Sequence, residues 1–181
     1  LKHVFVALLR GINVGKAKRV AMADLRALVE TLGYGEVRTL LNSGNVVFSS
    51  TKADGAAAAK RIEKAIAEKL GVSSRVTVVT AAEIASAIEK NPHRKLATNP
   101  SRHLVAFFQD EGAVRSLAPV VKRKWAPEAI ATSGRVAFLW CPDSILESPV
   151  FTELSRLAKD GVTTRNWATV EKLHALAGSI E

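Results

Sequence analysis

The chain opens on an unbroken apolar run, Val4-Phe5-Val6-Ala7-Leu8-Leu9, the mark of a short central strand. After a loop, Met22, Leu25, Leu28, Val29 and Leu32 fall on one face of a helix that Gly33 ends. Residues 36–41 and 45–49 are β-rich and are separated by Asn42-Ser43-Gly44, a polar turn suited to joining adjacent antiparallel strands. Helix formers dominate residues 56–70, with Ile62, Ile66 and Leu70 on one face and Gly71 as the stop, and residues 75–79 read as a strand. Residues 1–80 therefore spell βαββαβ. In the ferredoxin-like arrangement this order gives an antiparallel sheet with both helices on one face, hiding an apolar sheet surface that a lone hairpin leaves exposed.

Thr80 and Glu83 have the spacing of a capping box, so a helix is expected from there to about residue 89, where Asn91-Pro92 stops it. A second cycle follows: a strand over 103–108, a short helix around 111–117, a strand near 128–132, a turn at Ser133-Gly134 and a strand over 135–141. A helix near 149–158 supplies the next element, but no strand signal precedes the last helix, over about 166–177. The expected fold is α+β, with two ferredoxin-like βαββαβ-type subdomains, the second divergent or incomplete. The first spans 1–80 and the second 101–181, with a helical connector over 81–100. The halves share an order of elements and do not align as a sequence repeat.

Composition agrees with a folded chain: 181 residues, 48% of them hydrophobic, enough to bury roughly two-thirds of the unfolded surface. A single cysteine, Cys141, excludes an internal disulfide and a cysteine-based metal set and favours a cytoplasmic protein. The apolar opening is cut by Arg10, and no run approaches the roughly 18 residues of a membrane span, so no membrane partner is expected. The net charge of +9 points instead to an anionic partner, nucleic acid or a phosphate-bearing small molecule, or simply to solubility. It is spread over both halves, with 14 basic and 8 acidic groups in residues 1–90 and 12 and 9 in residues 91–181, so no separate basic tail carries it.

The sharpest concentration of cations lies on the loop after the first strand, Arg10-Gly11-Ile12-Asn13-Val14-Gly15-Lys16-Ala17-Lys18-Arg19. Gly11 and Gly15 allow backbone N–H groups to converge on an anion, Asn13 adds a polar side chain, and Arg10, Lys16, Lys18 and Arg19 supply charge. The loop is not a nucleotide-binding P-loop, because only three residues separate Gly11 from Gly15-Lys16 and Ala17 lacks the hydroxyl that reaches magnesium. The competing reading is an ordinary solvent-facing connection.

Asn42, Ser43 and Asn45 place amides and a hydroxyl at the end of the same sheet, where they either bind a ligand or satisfy the turn backbone around Gly44. Thr164-Arg165-Asn166-Trp167 gathers a hydroxyl, a guanidinium, an amide and an indole ahead of the last helix. Thr164 or Asn166 suits the helix cap, Arg165 a phosphate or carboxylate, and Trp167 a base or sugar face; Trp167 equally suits a packing anchor. Lys122-Arg123-Lys124-Trp125, with Arg115 nearby, is a further basic patch whose simpler reading is a solvated loop. Trp140-Cys141-Pro142 reads as strand-end packing. His3, His93, His103 and His174 are dispersed, and Asp54, Asp110, Asp143 and Asp160 follow no paired or EF-hand spacing. No metal site, cofactor or catalytic set is therefore assigned.

These residues resemble the bacterial domain-of-unknown-function family numbered 1697. The resemblance runs from Val6-Ala7-Leu8-Leu9-Arg10-Gly11-Ile12-Asn13-Val14-Gly15-Lys16 through Met22, Leu25, Arg26, Leu32-Gly33 and Val37-Arg38-Thr39 to Ser43-Gly44-Asn45-Val46-Val47-Phe48. It continues at Asn91-Pro92, Leu139-Trp140, Pro142-Asp143 and Thr163-Thr164-Arg165-Asn166-Trp167-Ala168-Thr169-Val170 with Lys172-Leu173. It implies two ferredoxin-like subdomains and no established reaction. Ala17, Ala168 and Ile145-Leu146-Glu147-Ser148-Pro149 depart from the family pattern.

The leading functional expectation is noncatalytic binding of nucleic acid or another phosphate-bearing ligand by a positive face that includes Arg10, Lys16, Lys18 and Arg19, with Arg165 as a further candidate. The alternatives are an enzyme acting on a small anionic or nucleotide-like substrate, if the three polar segments share a cleft, and a structural or protein-interaction domain. The chain carries no reaction-specific motif that chooses between an enzyme and a binding protein.

Overall fold

Six apolar side chains in succession leave β1 (His3–Leu9) no water-facing side, and Val4 through Leu9 are all buried. The computed structural model describes residues 1–180; residue 181, the end of the second expected subdomain, lies outside the described residues. In the first half β1 is followed by α1 (Met22–Thr31), β2 (Gly35–Leu40), β3 (Asn45–Ser50), α2 (Gly55–Leu70) and β4 (Val76–Thr80). The sheet order is β2-β3-β1-β4, with every pairing antiparallel. Phe5 sits opposite Phe48 and Thr80, and Ala7 opposite Val46 and Val78, so alternate residues of β1 meet the helices. Phe5, Ala7 and Leu9 pack there with Leu25, Leu28 and Val29 of α1 and Ile62, Ala65 and Ile66 of α2.

Local chemistry sets the ends of these elements. The Asp54 carboxylate accepts a hydrogen bond from the Ala57 amide to cap α2, and Gly71 ends that helix at a φ of +67°. Thr80 and Glu83 form the reciprocal capping box: the Thr80 amide donates to Glu83 Oε2 at 2.8 Å, and the Glu83 amide donates to Thr80 Oγ1 at 3.1 Å. That box starts α3 (Ala81–Lys90).

The second half repeats the scheme with β5 (His103–Phe108), α4 (Glu111–Arg115), α5 (Ala118–Val121), β6 (Ala129–Ser133), β7 (Val136–Trp140), α6 (Pro149–Ala158), β8 (Val162–Asn166) and α7 (Trp167–Gly178). Its sheet, β6-β7-β5-β8, has the same order and sense as the first. Leu104, Ala106 and Phe108 face a core made with Val114, Leu117, Val120, Val150 and Leu154.

Two features of this half differ from the sequence reading. The short helix expected around 111–117 is present as α4 but stops at Arg115, because Pro119 has no N–H to donate to the carbonyl of Arg115 and its ring crowds that turn, and an unexpected single turn, α5, follows from Ala118. The fourth strand, for which no signal was read, is present as β8. Only Val162 is apolar in Val-Thr-Thr-Arg-Asn, so apolar alternation is missing, and pairing with β5 from Val162–Phe108 to Asn166–Leu104 supplies what periodicity did not. The second subdomain is therefore divergent in its first helix and complete in its strands.

Contacts divide the chain into two units, one formed by Leu1–Ala85 with the segment from Leu173 onward, the other by Ser86–Lys172. The boundaries fall inside α3 and inside α7.

Ile62 is fully buried between α2 and the first sheet. Ile62→Ala is expected to lower the unfolding free energy by about 2–5 kcal/mol in urea titrations. The exposed neighbour Lys64→Ala is expected to stay within about 0.5 kcal/mol of the parent.

Candidate functional site

The basic loop and the Asn42–Asn45 turn come together at the end of the first sheet where β1 finishes and β3 begins. The base of the loop is tied to the strand on its other side: the Arg10 amide donates to the Arg75 carbonyl at 3.0 Å, and Ser74 Oγ donates to the Arg10 carbonyl at 2.9 Å. Ile12 and Val20 are buried in the helix-side core and plug both ends of the excursion. Asn13 closes it. Its Nδ2 donates to the carbonyls of Val20 (2.9 Å) and Asn42 (2.8 Å), its Oδ1 accepts from the Val20 amide (2.8 Å), and its own amide donates to the Lys18 carbonyl (3.0 Å).

This clasp holds Asn13 at a φ of +54°, between Gly11 at +66° and Gly15 at +61°. Glycine adopts that region without a steric penalty, while asparagine is held there by its side-chain hydrogen bonds. Gly44 is required for a second reason: a Cβ there would stand 2.7 Å from Ile12 Cδ1 and 2.8 Å from Leu9 Cβ. Asn45 is buried, and its Nδ2 donates to the Leu40 carbonyl (2.7 Å) and to Ser43 Oγ (2.9 Å). Asn13, Ser43 and Asn45 thus spend hydrogen bonds on building this end of the sheet. What the construction presents to solvent is the loop tip, with Lys16, Lys18 and Arg19 exposed and Val14 71% exposed.

Thr164, Arg165, Asn166 and Trp167 belong to the second unit, on β8 and at the start of α7. Of the two residues suited to the cap, Thr164 and Asn166, Asn166 takes the role, its Oδ1 accepting from the Thr169 amide at 2.9 Å. Arg165 is buried opposite Val105, donates to the Thr164 carbonyl at 2.8 Å, and is lowered by burial to about 10, so it remains cationic at neutral pH. The Trp167 ring stacks on His103, with centroids 5.0 Å apart and planes 17° from parallel.

That stacking exposes a cluster the sequence did not show. His103 is 2% exposed, and its ring lies 6.0 Å from that of His93, which is 7% exposed. His93 Nδ1, His103 Nε2 and Asn91 Nδ2 are buried without a hydrogen-bond partner. Asn91 Oδ1 accepts from the His93 amide and so sets the turn that brings the rings together. Desolvation pushes His103 down to about 4, with a smaller contribution from His93, and pushes His93 down as well. Both rings are neutral at pH 7. No spacing rule connects residues 93 and 103, and only the folded turn makes them neighbours.

Several of the remaining candidates make structural contacts. Arg123 lies 4.2 Å over the Trp125 ring and pairs with Glu153 at 3.8 Å, while Trp125 Nε1 donates to the Val120 carbonyl. Cys141 is buried, which pushes its thiol up. Asp110 caps α4. Among the described residues no group of three or more His, Cys, Asp or Glu side chains is placed to hold a metal ion, and no helix is long and apolar enough to cross a membrane.

Fold and site define an α+β protein of two ferredoxin-like units with a clasped basic loop at one sheet end. The chain belongs to the family described as "Protein of unknown function (DUF1697)", which matches residues 3–138 and so includes that loop and the adjoining turn. Among solved structures it is similar to the conserved bacterial protein SP0830 from Streptococcus pneumoniae, at 22% identity and a TM-score of 0.79, covering 98% of this chain and 99% of that one. That likeness is one of fold. An unknown protein from Galdieria sulphuraria matches at 18% identity over 91% of this chain and 97% of its own, with a TM-score of 0.29. No curated protein matches.

Because the unfolded chain binds protons on His93 and His103 at a higher pH than the folded one, the histidine contribution is constant above about pH 6.5. It declines as pH falls toward 4, where folded His103 protonates. Urea titrations across that interval should show stability falling by up to about 1.4 kcal/mol per pH unit for each such proton. His103→Gln should flatten the dependence, and an unchanged slope would remove His103 as its source.

Proposed function

We propose that the protein binds a phosphate-bearing ligand, foremost the backbone of a nucleic acid, through Lys16, Lys18 and Arg19 on the clasped loop, with Arg10 at its base. The observation that carries this reading is the fixing of the loop by Asn13 and by the buried Ile12 and Val20, which presents three exposed cations on an ordered backbone. Cations held in place lose less conformational entropy on binding than cations on a mobile arm. The nearest acid along the chain, Asp24, already lies within α1.

Phosphate contacts release counterions, so affinity falls with salt by a log–log slope of about 0.7–0.9 per phosphate engaged. Fluorescence anisotropy at low salt, with labelled single-stranded and duplex oligonucleotides and a labelled nucleotide in separate arms, tests the reading. The triple substitution Lys16→Glu, Lys18→Glu, Arg19→Glu is expected to weaken binding by more than about tenfold and to reduce the slope by about 2 or more. Preference for the oligonucleotides over the nucleotide identifies an extended backbone as the ligand. No oligonucleotide binding at low salt, or oligonucleotide binding indifferent to both salt and the triple substitution, overturns the proposal.

A further inference from the structure

The opposite end of the first sheet, where β1 begins and β3 ends, holds a cleft of about 840 Å³ that no sequence motif marked. Its volume lies in the range that encloses a small molecule. Tyr34 lines it, backed by Phe48 with ring centroids 4.6 Å apart. The Arg61 guanidinium lies 5.3 Å over the Tyr34 ring and is oriented by donating to the Leu32 carbonyl at 2.9 Å. Such a pair gives the wall a planar, cationic surface on which an aromatic ring stacks.

The charges of the cleft are sorted by the backbone around it. The β2–β3 register shifts between Gly35 and Arg38, and Glu36 stands at a φ of +49° in that irregularity. Gly35 approaches β3 so closely that a Cβ would meet Ser49 Oγ at 2.8 Å. The distortion brings Glu36 to Lys2 at 3.2 Å, and the hydrogen bond from Lys2, followed by that from Ser49, holds the Glu36 carboxyl below its ordinary range. Asp54, the acid of the lining, is engaged in capping α2. Lys52 is different. Its amide donates to Ser50 Oγ at 3.0 Å, fixing the turn, and its exposed ammonium makes no ion pair among the described residues. One cleft therefore combines a stacking wall, hydroxyls from Ser50 and Thr51, and a lysine with no carboxylate partner.

The geometry points to this cleft as a binding site for a nucleoside monophosphate, with the base against the Tyr34–Arg61 pair and the phosphate on Lys52. The site does not depend on the basic loop, which lies at the other end of β1. A ligand with only a phosphate leaves the aromatic wall unused, and one with only a base leaves Lys52 unpaired, so both parts are needed for affinity.

Tyr34 is the only tyrosine of the chain, so its ring resonances report on the cleft alone. Titrating the full chain with AMP, adenosine and inorganic phosphate in separate NMR series is expected to give a saturable Tyr34 shift with AMP and binding weaker by about tenfold or more with either fragment. Lys52→Glu, a surface change, is expected to weaken AMP by about tenfold or more, while the triple loop substitution leaves the AMP titration unchanged. The absence of a saturable Tyr34 shift at millimolar AMP overturns the proposal. So does AMP binding that Lys52→Glu does not weaken, or that inorganic phosphate alone matches. Loss of AMP binding in the triple loop variant with retention in Lys52→Glu would assign the nucleotide to the loop and overturn the cleft.

Discussion

A central strand with apolar side chains on both faces allows no stable arrangement in which either face meets water, and β1 and β5 are both of this kind. Each must lie between two strands and beneath helices, and the βαββαβ order is a short way of supplying both from local connections. Burying a side chain such as Phe5, Phe48, Phe107 or Phe108 contributes on the order of 1.5–3 kcal/mol, so a single central strand with its neighbours accounts for much of the folding drive of its unit. The antiparallel registers then determine which residues stand at each sheet end.

The strands of this scaffold carry packed side chains, while the loops at the sheet ends remain accessible. The two ends of the first sheet have been built differently. At one, Asn13, Gly44 and Asn45 use their hydrogen bonds and conformational freedom to fasten loop to turn, and the cations ride on the result. At the other, an irregular β2 and the Tyr34–Arg61 pair leave a concave space. The first arrangement suits an extended anion met at a surface, and the second a compact molecule that is partly enclosed.

The second sheet carries polar chemistry in a different place. His103, Val105 and Phe107 alternate with the core residues of β5, and Arg165 stands on β8 opposite Val105, on the same sheet face as His103. Placing imidazoles and a guanidinium among buried residues costs desolvation free energy, visible in the downward displacement of His93, His103 and Arg165. Trp167 completes this cluster by stacking on His103.

Much of this architecture was legible in local pattern. Apolar runs and helical periodicity mark β1, α1, α2, β5 and β7, and Thr80 with Glu83 marks the start of α3, because each signal is contained within a few residues. The sequence also located the basic loop and narrowed the cap of the last helix to Thr164 or Asn166. It could not show β8, whose Thr163, Thr164 and Arg165 become a strand only by pairing with β5, nor that α4 stops ahead of Pro119. Nor could it show that Asn13 reaches Asn42, that His93 meets His103, or that Arg61 settles over Tyr34. Those relations join residues whose spacing has no period, and only the closing of the chain around β1 and β5 brings them within reach. Sequence alone thus determined the elements that carry their own apolar or capping pattern and where the charge is carried; the tertiary structure decided the elements that form only by pairing and which polar side chains hold the frame.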